Sequence, residues 1–444
     1  MYNHRSKLYN LETQINQRMP NPNIISVPYG YEVEVFIEGL DAPSGMVFDD
    51  NGDLLIADSG ISTDEPKVLR VSGENIEIVA DNFNTPLSGI NQLNGNIYVS
   101  HKGSISIIRP DGSRNDIING LPSNGDYTNN RVEFSNDNRI YFGQGTATNS
   151  GVVGLDNEWI FEQPFFHDIV GTPVILRQVN YATENILVPA DHSVLTGAFT
   201  HFSSERIQTY EMIIGDFLAS GSILSANLDG SDLSLAAWGF RNPFQVKFNM
   251  NNELIISSQG MDIRGSRPIA NAPDTLERLI PGAWYGWPDY AAGELVASPQ
   301  FTPPNGVQPE SLLETIPSIP PRPIARLTPD SNILGFDFNY NPEFGPIGDI
   351  YIAAFGRTFH QNNVDYIRSG VGHRINRINL QTGEVTTFAI NRSGFPEPGG
   401  FGRPTDVIFG HDGAMYISDA GYDTFDQPNV YPPGSGMIWR IRRL

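Results

Sequence analysis

Cysteine is absent from the chain, which excludes disulfides, thiolate metal sites and a cysteine nucleophile and leaves the redox compartment open. Long apolar runs are absent as well, and nothing approaches the ~20 residues of a membrane-spanning helix. The N-terminal stretch MYNHRSKLYNLETQINQRMPNP holds no apolar signal-peptide core, so a cytoplasmic location is the default expectation. Basic residues are scarce: 28 Lys plus Arg stand against 50 Asp plus Glu, a formal net charge of -22. A surface of that sign repels phosphate backbones and anionic headgroups, so neither nucleic acid nor membrane is an expected partner.

What is present favours short strands. Gly 44 and Pro 33 supply turns, and Phe 25 and Tyr 17 are at home on pleated surfaces. One pattern recurs six times: an apolar strand, an Asx/Gly turn and a second strand. Its copies are GMVFDDNGDLLIAD (45–58), GINQLNGNIYVSH (89–101), RVEFSNDNRIYFGQ (131–144), FQVKFNMNNELIISSQ (244–259), LGFDFNYNPEFGPIGDIYIAAFG (334–356) and DVIFGHDGAMYISD (406–419). Amphipathic strands such as KVLRVS, SISIIRP, RINRINL and MIWRIRR follow several of them. A hairpin with one or two outer strands is the four-stranded blade of a β-propeller. The fold class expected is therefore all-β, a six-bladed propeller of antiparallel blades. The strand YEVEVFIEG (31–39) would join the C-terminal blade and close the ring. Residues 1–28 are expected to form an arm and 29–444 a single propeller. The second strands begin near residues 54, 97, 140, 254, 350 and 415, so the long steps require insertions, chiefly around 155–220. Asp49, Asn51 and Asp53 alternate like the start of a calcium loop, but equivalent turns with other residues make turn chemistry the better reading.

In such a blade the start of the first strand and the loop after the second strand share one face. The long loops 144–154, 259–274, 355–374 and 419–436 all fall there, and ordered loops on one end of a rigid scaffold usually carry binding. Polar residues brought to that face include Asp58, His101, Lys102, Tyr127, Gln144, Arg241, Asn242, Gln259, Asp262, Arg264, Arg357, Arg403, Asp406 and Asp419. Arginines gathered at the mouth of an acidic ring point to an anionic ligand or cofactor, although single members, such as Asp58 or Asp419, have an equally good reading as loop caps.

The segments AWGFRNPFQVKF (237–248) and SSQGMDIRGSRPIANAPDTLERLIPGAWYGWPDY (257–290), together with 121–154 and 403–419 and in weaker form the chain from about residue 30 to its end, resemble the glucose/sorbosone dehydrogenase family. The resemblance is nearer to its sorbosone-dehydrogenase-like branch. It implies a six-bladed propeller that oxidises an aldose or related polyol or aldehyde by hydride transfer to pyrroloquinoline quinone (PQQ) beside calcium, and passes electrons to an external acceptor. The family's Arg-Asn pair that holds the quinone would be Arg241 and Asn242, with Gln144, Arg357 and Arg403 around it. Calcium would sit on the backbone carbonyls of Gly260 and Met261. The family's catalytic His is replaced by Tyr127, its quinone-contacting Lys falls at Gly356 beside Arg357, and the second of two late arginines is Thr405. His101, or Tyr127 with a lowered pKa, would then be the base. The family works outside the cytoplasm, at odds with the missing signal. Three readings stay open: an active quinoprotein; a propeller that binds a carbohydrate or other small ligand without redox activity; and a metal-dependent lactonase-type hydrolase built on Asp58, Asp406 and Asp419.

Overall fold

The computed structural model describes residues 18–188, 193–204, 211–357, 370–422 and 431–444. Its regular structure is antiparallel β, with only three short 3-10 turns among the described residues. No helix there is long and apolar enough to cross a membrane.

Every sequence repeat forms a hairpin, and outer strands extend it into a sheet. The first sheet is Pro43–Phe48, Leu54–Asp58, Lys67–Ser72 and Asn75–Asp81, and the second is Leu87–Leu93, Asn96–His101, Ser104–Ile108 and Arg114–Asn119. The third takes Asn129–Phe134 and Arg139–Gln144, then continues after the insertion with Ser222–Asn227 and Ser234–Trp238. Asn242–Phe248, Leu254–Gln259, Thr275–Arg278 and Ala325–Arg326 make the fourth. The fifth is Ile333–Phe338, Ile350–Ala354, Arg374–Ile378 and Val385–Asn391, and the sixth holds Pro404–Phe409, Met415–Asp419 and Gly436–Arg443. The sixth sheet is completed by the early strand Tyr31–Leu40, antiparallel to Gly436–Arg443 with Tyr31 opposite Arg443 and Val35 opposite Trp439. The arrangement is that of a propeller.

The hairpin turns follow from side-chain chemistry. Asp49 accepts the backbone N–H groups of Asn51 and Asp53 at 2.9 and 3.0 Å, and Asn249 does the same for Asn251 and Glu253. These are Asx turns, which fold the chain back without any cation. The second strands, such as Leu54–Asp58 and Ile350–Ala354, are buried throughout. That explains their unbroken apolar runs: both faces are covered by neighbouring sheets. Each consecutive pair of sheets shares one apolar cluster, such as Leu55, Ala57, Ile90 and Val99 between the first and second. Another, with Met46, Ile56, Ile408 and Ile438, joins the sixth to the first.

The insertion forms small sheets of its own, Val174–Leu176 with Glu211–Ile213 and Leu313–Thr315, and Asn180–Thr183 with Val194–Gly197. It packs on the 261–313 loops through a cluster that includes Trp238, Met261, Trp284 and Trp287. The described part of the expected arm is docked. Ile25–Ser26 pairs with Val385–Asn391, and the Arg18 guanidinium reaches Asp419 at 2.8 Å. Residues 1–17 lie outside the described residues.

Candidate functional site

A cavity of about 490 Å³ opens where the innermost strands begin. Ser44, Ser88, Asn130, Phe244, Leu334 and Thr405, one from each sheet, form its floor. One residue further along, Arg131 pairs with Asp406 at 3.1 Å, both buried. This crossing needs small neighbours. A Cβ on Gly89 would lie 2.5 Å from that of Arg131, and one on Gly335 would lie 2.1 Å from Asp406 Oδ1. Burial pushes the Asp406 carboxyl up to about 6, against the opposing pull of Arg131.

Three amides line the wall in a relay. Asn130 Nδ2 donates to Asn242 Oδ1 at 3.1 Å, and Asn242 Nδ2 donates to Gln259 Oε1 at 2.8 Å. The relay leaves a donor, Gln259 Nε2, at one end and an acceptor, Asn130 Oδ1, at the other. Gly145 permits it, since a Cβ there would sit 2.2 Å from Tyr127 Cβ and 2.8 Å from Asn242 Oδ1. Tyr127, Phe244, Phe355 and Tyr431 add aromatic surface. The volume and the mixture of aromatic wall with a few fixed polar groups are those of a small-molecule site.

The arginines expected at the mouth are turned into the protein, and Arg241, Arg264 and Arg357 meet carboxylates there. Arg241 pairs with Asp262, donates to the carbonyl of Gly260 and lies with its Cζ 4.7 Å from the Tyr127 ring centre. Arg264 binds Asp126 and Asp156, each at 2.6 Å, and Asp262 at 3.4 Å. Arg357 pairs with Asp330. Arg403 is 2% exposed, donates to the carbonyls of Phe355 and Arg357, and covers the Phe355 ring. Among the described residues none of these four lines the cavity, whose charged lining is Lys102 and Asp126.

Of the residues expected to act, Tyr127 and Asn242 do face the cavity. Tyr127 is not an activated base, because burial raises its pKa further than Arg241 and Arg264 lower it. His101 is turned away: it is 4% exposed, Nδ1 accepts the Asn84 N–H at 3.2 Å and Nε2 meets the Ser106 hydroxyl at 2.9 Å. Burial, more than any neighbour, lowers its pKa. Gln144 is fully buried and ties the carbonyls of Pro122 and Gly145 together. The Gly260 carbonyl accepts from Arg241, and the Met261 side chain packs in the tryptophan cluster. The three aspartates of the hydrolase reading do not converge. Asp58 accepts the Asp41 N–H, Asp406 pairs with Arg131, and Asp419 holds Arg18 and the N–H groups of Gly402 and Arg403. Among the described residues no group of three or more His, Asp or Glu side chains is placed to hold a metal.

Sequence reasoning missed Asn130 and the carboxylates Asp126 and Asp156. Asn130 had a signal, its place just before an inner strand. The carboxylates had none, since their partner Arg264 lies more than 100 residues away.

No protein-family profile matches the chain, and no curated protein matches it. Solved structures do. The chain is similar to the holo form of the pyranose dehydrogenase PQQ domain from Coprinopsis cinerea, with TM-score 0.58, 16% identity, and 94% of this chain and 97% of that one covered. It is similar to the PQQ-bound aldose sugar dehydrogenase from Streptomyces coelicolor, with TM-score 0.53, 15% identity, and coverage of 94% and 99%. A calcium structure of a Trichoderma reesei carbohydrate-active enzyme of family AA12 matches with TM-score 0.54, 17% identity, and coverage of 97% and 99%. At these identities the likeness establishes the fold, and it is the fold of the family that the sequence motifs resemble.

PQQ is a tricarboxylate, and holding it beside calcium takes free cationic donors and free carbonyl oxygens. The described residues do not fit that demand. The guanidinium of Arg241 already pairs with Asp262 and donates to the Gly260 carbonyl, leaving only its Nε–H without a partner, and one lysine is the cavity's cationic lining.

Proposed function

We propose that the six sheets are the blades of a closed ring, and that its axial cavity binds a sugar-sized, hydroxyl-bearing small molecule without PQQ-dependent redox chemistry. The ring reading is supported by apolar clusters between every consecutive pair of sheets and between the last and the first. The observation that carries the binding reading is the Asn130–Asn242–Gln259 relay, which presents one fixed donor and one fixed acceptor beside aromatic faces. Hydroxyl groups both donate and accept, and the apolar CH face of a sugar suits an aromatic wall. In this reading Tyr127 shapes the wall, and its phenol stays protonated at neutral pH.

The quinoprotein reading, with PQQ, calcium and hydride transfer from an aldose, has one observation in its favour: the fold is shared with PQQ-bound sugar dehydrogenases. A thermal-shift screen separates the two. Millimolar aldoses, polyols and sugar acids are compared with PQQ in excess calcium, because any ligand that binds only the native state raises the melting temperature with its concentration. Stabilisation by a sugar with no response to PQQ is expected. Stabilisation by PQQ with dye reduction on adding an aldose overturns the proposal.

A further inference from the structure

Among the described residues the cavity has one lining cation that meets no carboxylate. Its charged lining there is Lys102 and Asp126. Asp126 is ion-paired from behind: Oδ2 lies 2.6 Å from Arg264, and Oδ1 accepts the Asn157 amide at 3.0 Å and the Trp159 indole N–H at 2.9 Å. Lys102 differs from the other described lysines. Lys67 meets Glu65 at 3.2 Å and Lys247 meets Asp337 at 2.6 Å. No described carboxylate lies within 4 Å of the Lys102 ammonium.

The backbone of Lys102 is fixed. It sits in the two-residue turn between Asn96–His101 and Ser104–Ile108, where Gly103 takes a φ of +79°. Its N–H donates to the Pro86 carbonyl at 3.1 Å, and its own carbonyl accepts the Asn84 amide at 3.0 Å. In a chain of net charge -22, where the other two described lysines have acidic partners, a lysine held on the cavity wall without one is set up to meet an anion. We infer that the ligand of this cavity is a monoanionic sugar acid, its carboxylate read by Lys102 and its hydroxyls by the amide relay. This rests on the reading that the cavity binds a sugar. It also explains the misfit of a tricarboxylate, since one ammonium balances one charge.

The test is titration calorimetry of the full chain with D-glucuronate and with D-glucose, for the native protein, Lys102→Met and Lys102→Arg. The native protein is expected to prefer glucuronate by at least about tenfold at low salt, as a charge-assisted contact does over a neutral one, and the preference should shrink as salt screens it. Lys102→Met should abolish the preference, while Lys102→Arg should keep most of it. Equal affinity for the two sugars, or a preference that survives Lys102→Met, overturns the sugar-acid inference and leaves sugar binding intact. Binding of neither sugar, in native protein shown by its cooperative melt to be folded, overturns both.

Discussion

Asp168 gives the sharpest test of how the loop behind Asp126 and Tyr127 is held. It is 2% exposed, with Oδ1 accepting the Ala147 N–H at 2.6 Å and Oδ2 the Thr148 hydroxyl at 2.5 Å. Burial pushes its carboxyl from 3.8 up to about 7, against hydrogen bonds from Thr148, Ala147 and Ser220 that pull it down. The folded-state pKa is raised, so the native protein keeps a proton that the unfolded chain releases at lower pH. Its contribution to stability is complete below about pH 4 and is lost as pH rises through about 7. At ~1.4 kcal/mol per pKa unit, this one group lowers stability by ~3 kcal/mol between pH 5 and pH 8. Asp168→Asn keeps the acceptor for Ala147 and removes the titration. Urea unfolding followed by tryptophan fluorescence at the two pH values should show the Asp168→Asn variant gaining ~3 kcal/mol on the native protein as pH rises. The other raised carboxyls, among them Asp58 and Asp406 at about 6, Asp274 at about 7 and Glu277 at about 8, titrate in both proteins and cancel in the difference. Parallel pH profiles would refute the burial argument.

Two further perturbations address the wall itself. Arg264→Met strips the shared cation from Asp126, Asp156 and Asp262, and breaking a buried pair of this kind costs about 3–5 kcal/mol, measurable as a lower urea midpoint. An unchanged midpoint means that the network is dispensable. Gly145→Ala drives a methyl into Tyr127 and Asn242 and should cost about 1–3 kcal/mol by overpacking. A melting temperature equal to that of the native protein contradicts the close approach.

The sequence was most legible where a structural choice is local. Asx turns at Asp49 and Asn249 depend on residues two to four positions away, so each hairpin is written in one short segment. The pairing of Tyr31–Leu40 with the C-terminal strand was legible because one strand lacked a partner at each end of the chain. The candidate site was legible only as a face. Arg241, Arg264 and Arg403 do stand at that end, but whether a guanidinium points into a cavity or back into the protein depends on distant partners. Asp126 and Asp156 meet Arg264 only once the third and fourth sheets are assembled, and no spacing rule signals that. His101 shows the same limit on a smaller scale. It ends the expected strand, yet its ring turns toward Ser106 on the adjoining strand, away from the cavity.

The central claim is that the cavity takes a sugar and not the quinone, because Arg241, Arg264 and Arg357 already meet carboxylates. Calorimetric titration of the full chain with PQQ in millimolar calcium tests it most directly. The account predicts no measurable heat of binding from PQQ, in a sample that binds a sugar or sugar acid in a parallel titration. Sub-micromolar PQQ affinity that requires calcium would contradict it, and would mean that Arg241 leaves Asp262 and the Gly260 carbonyl to receive the cofactor.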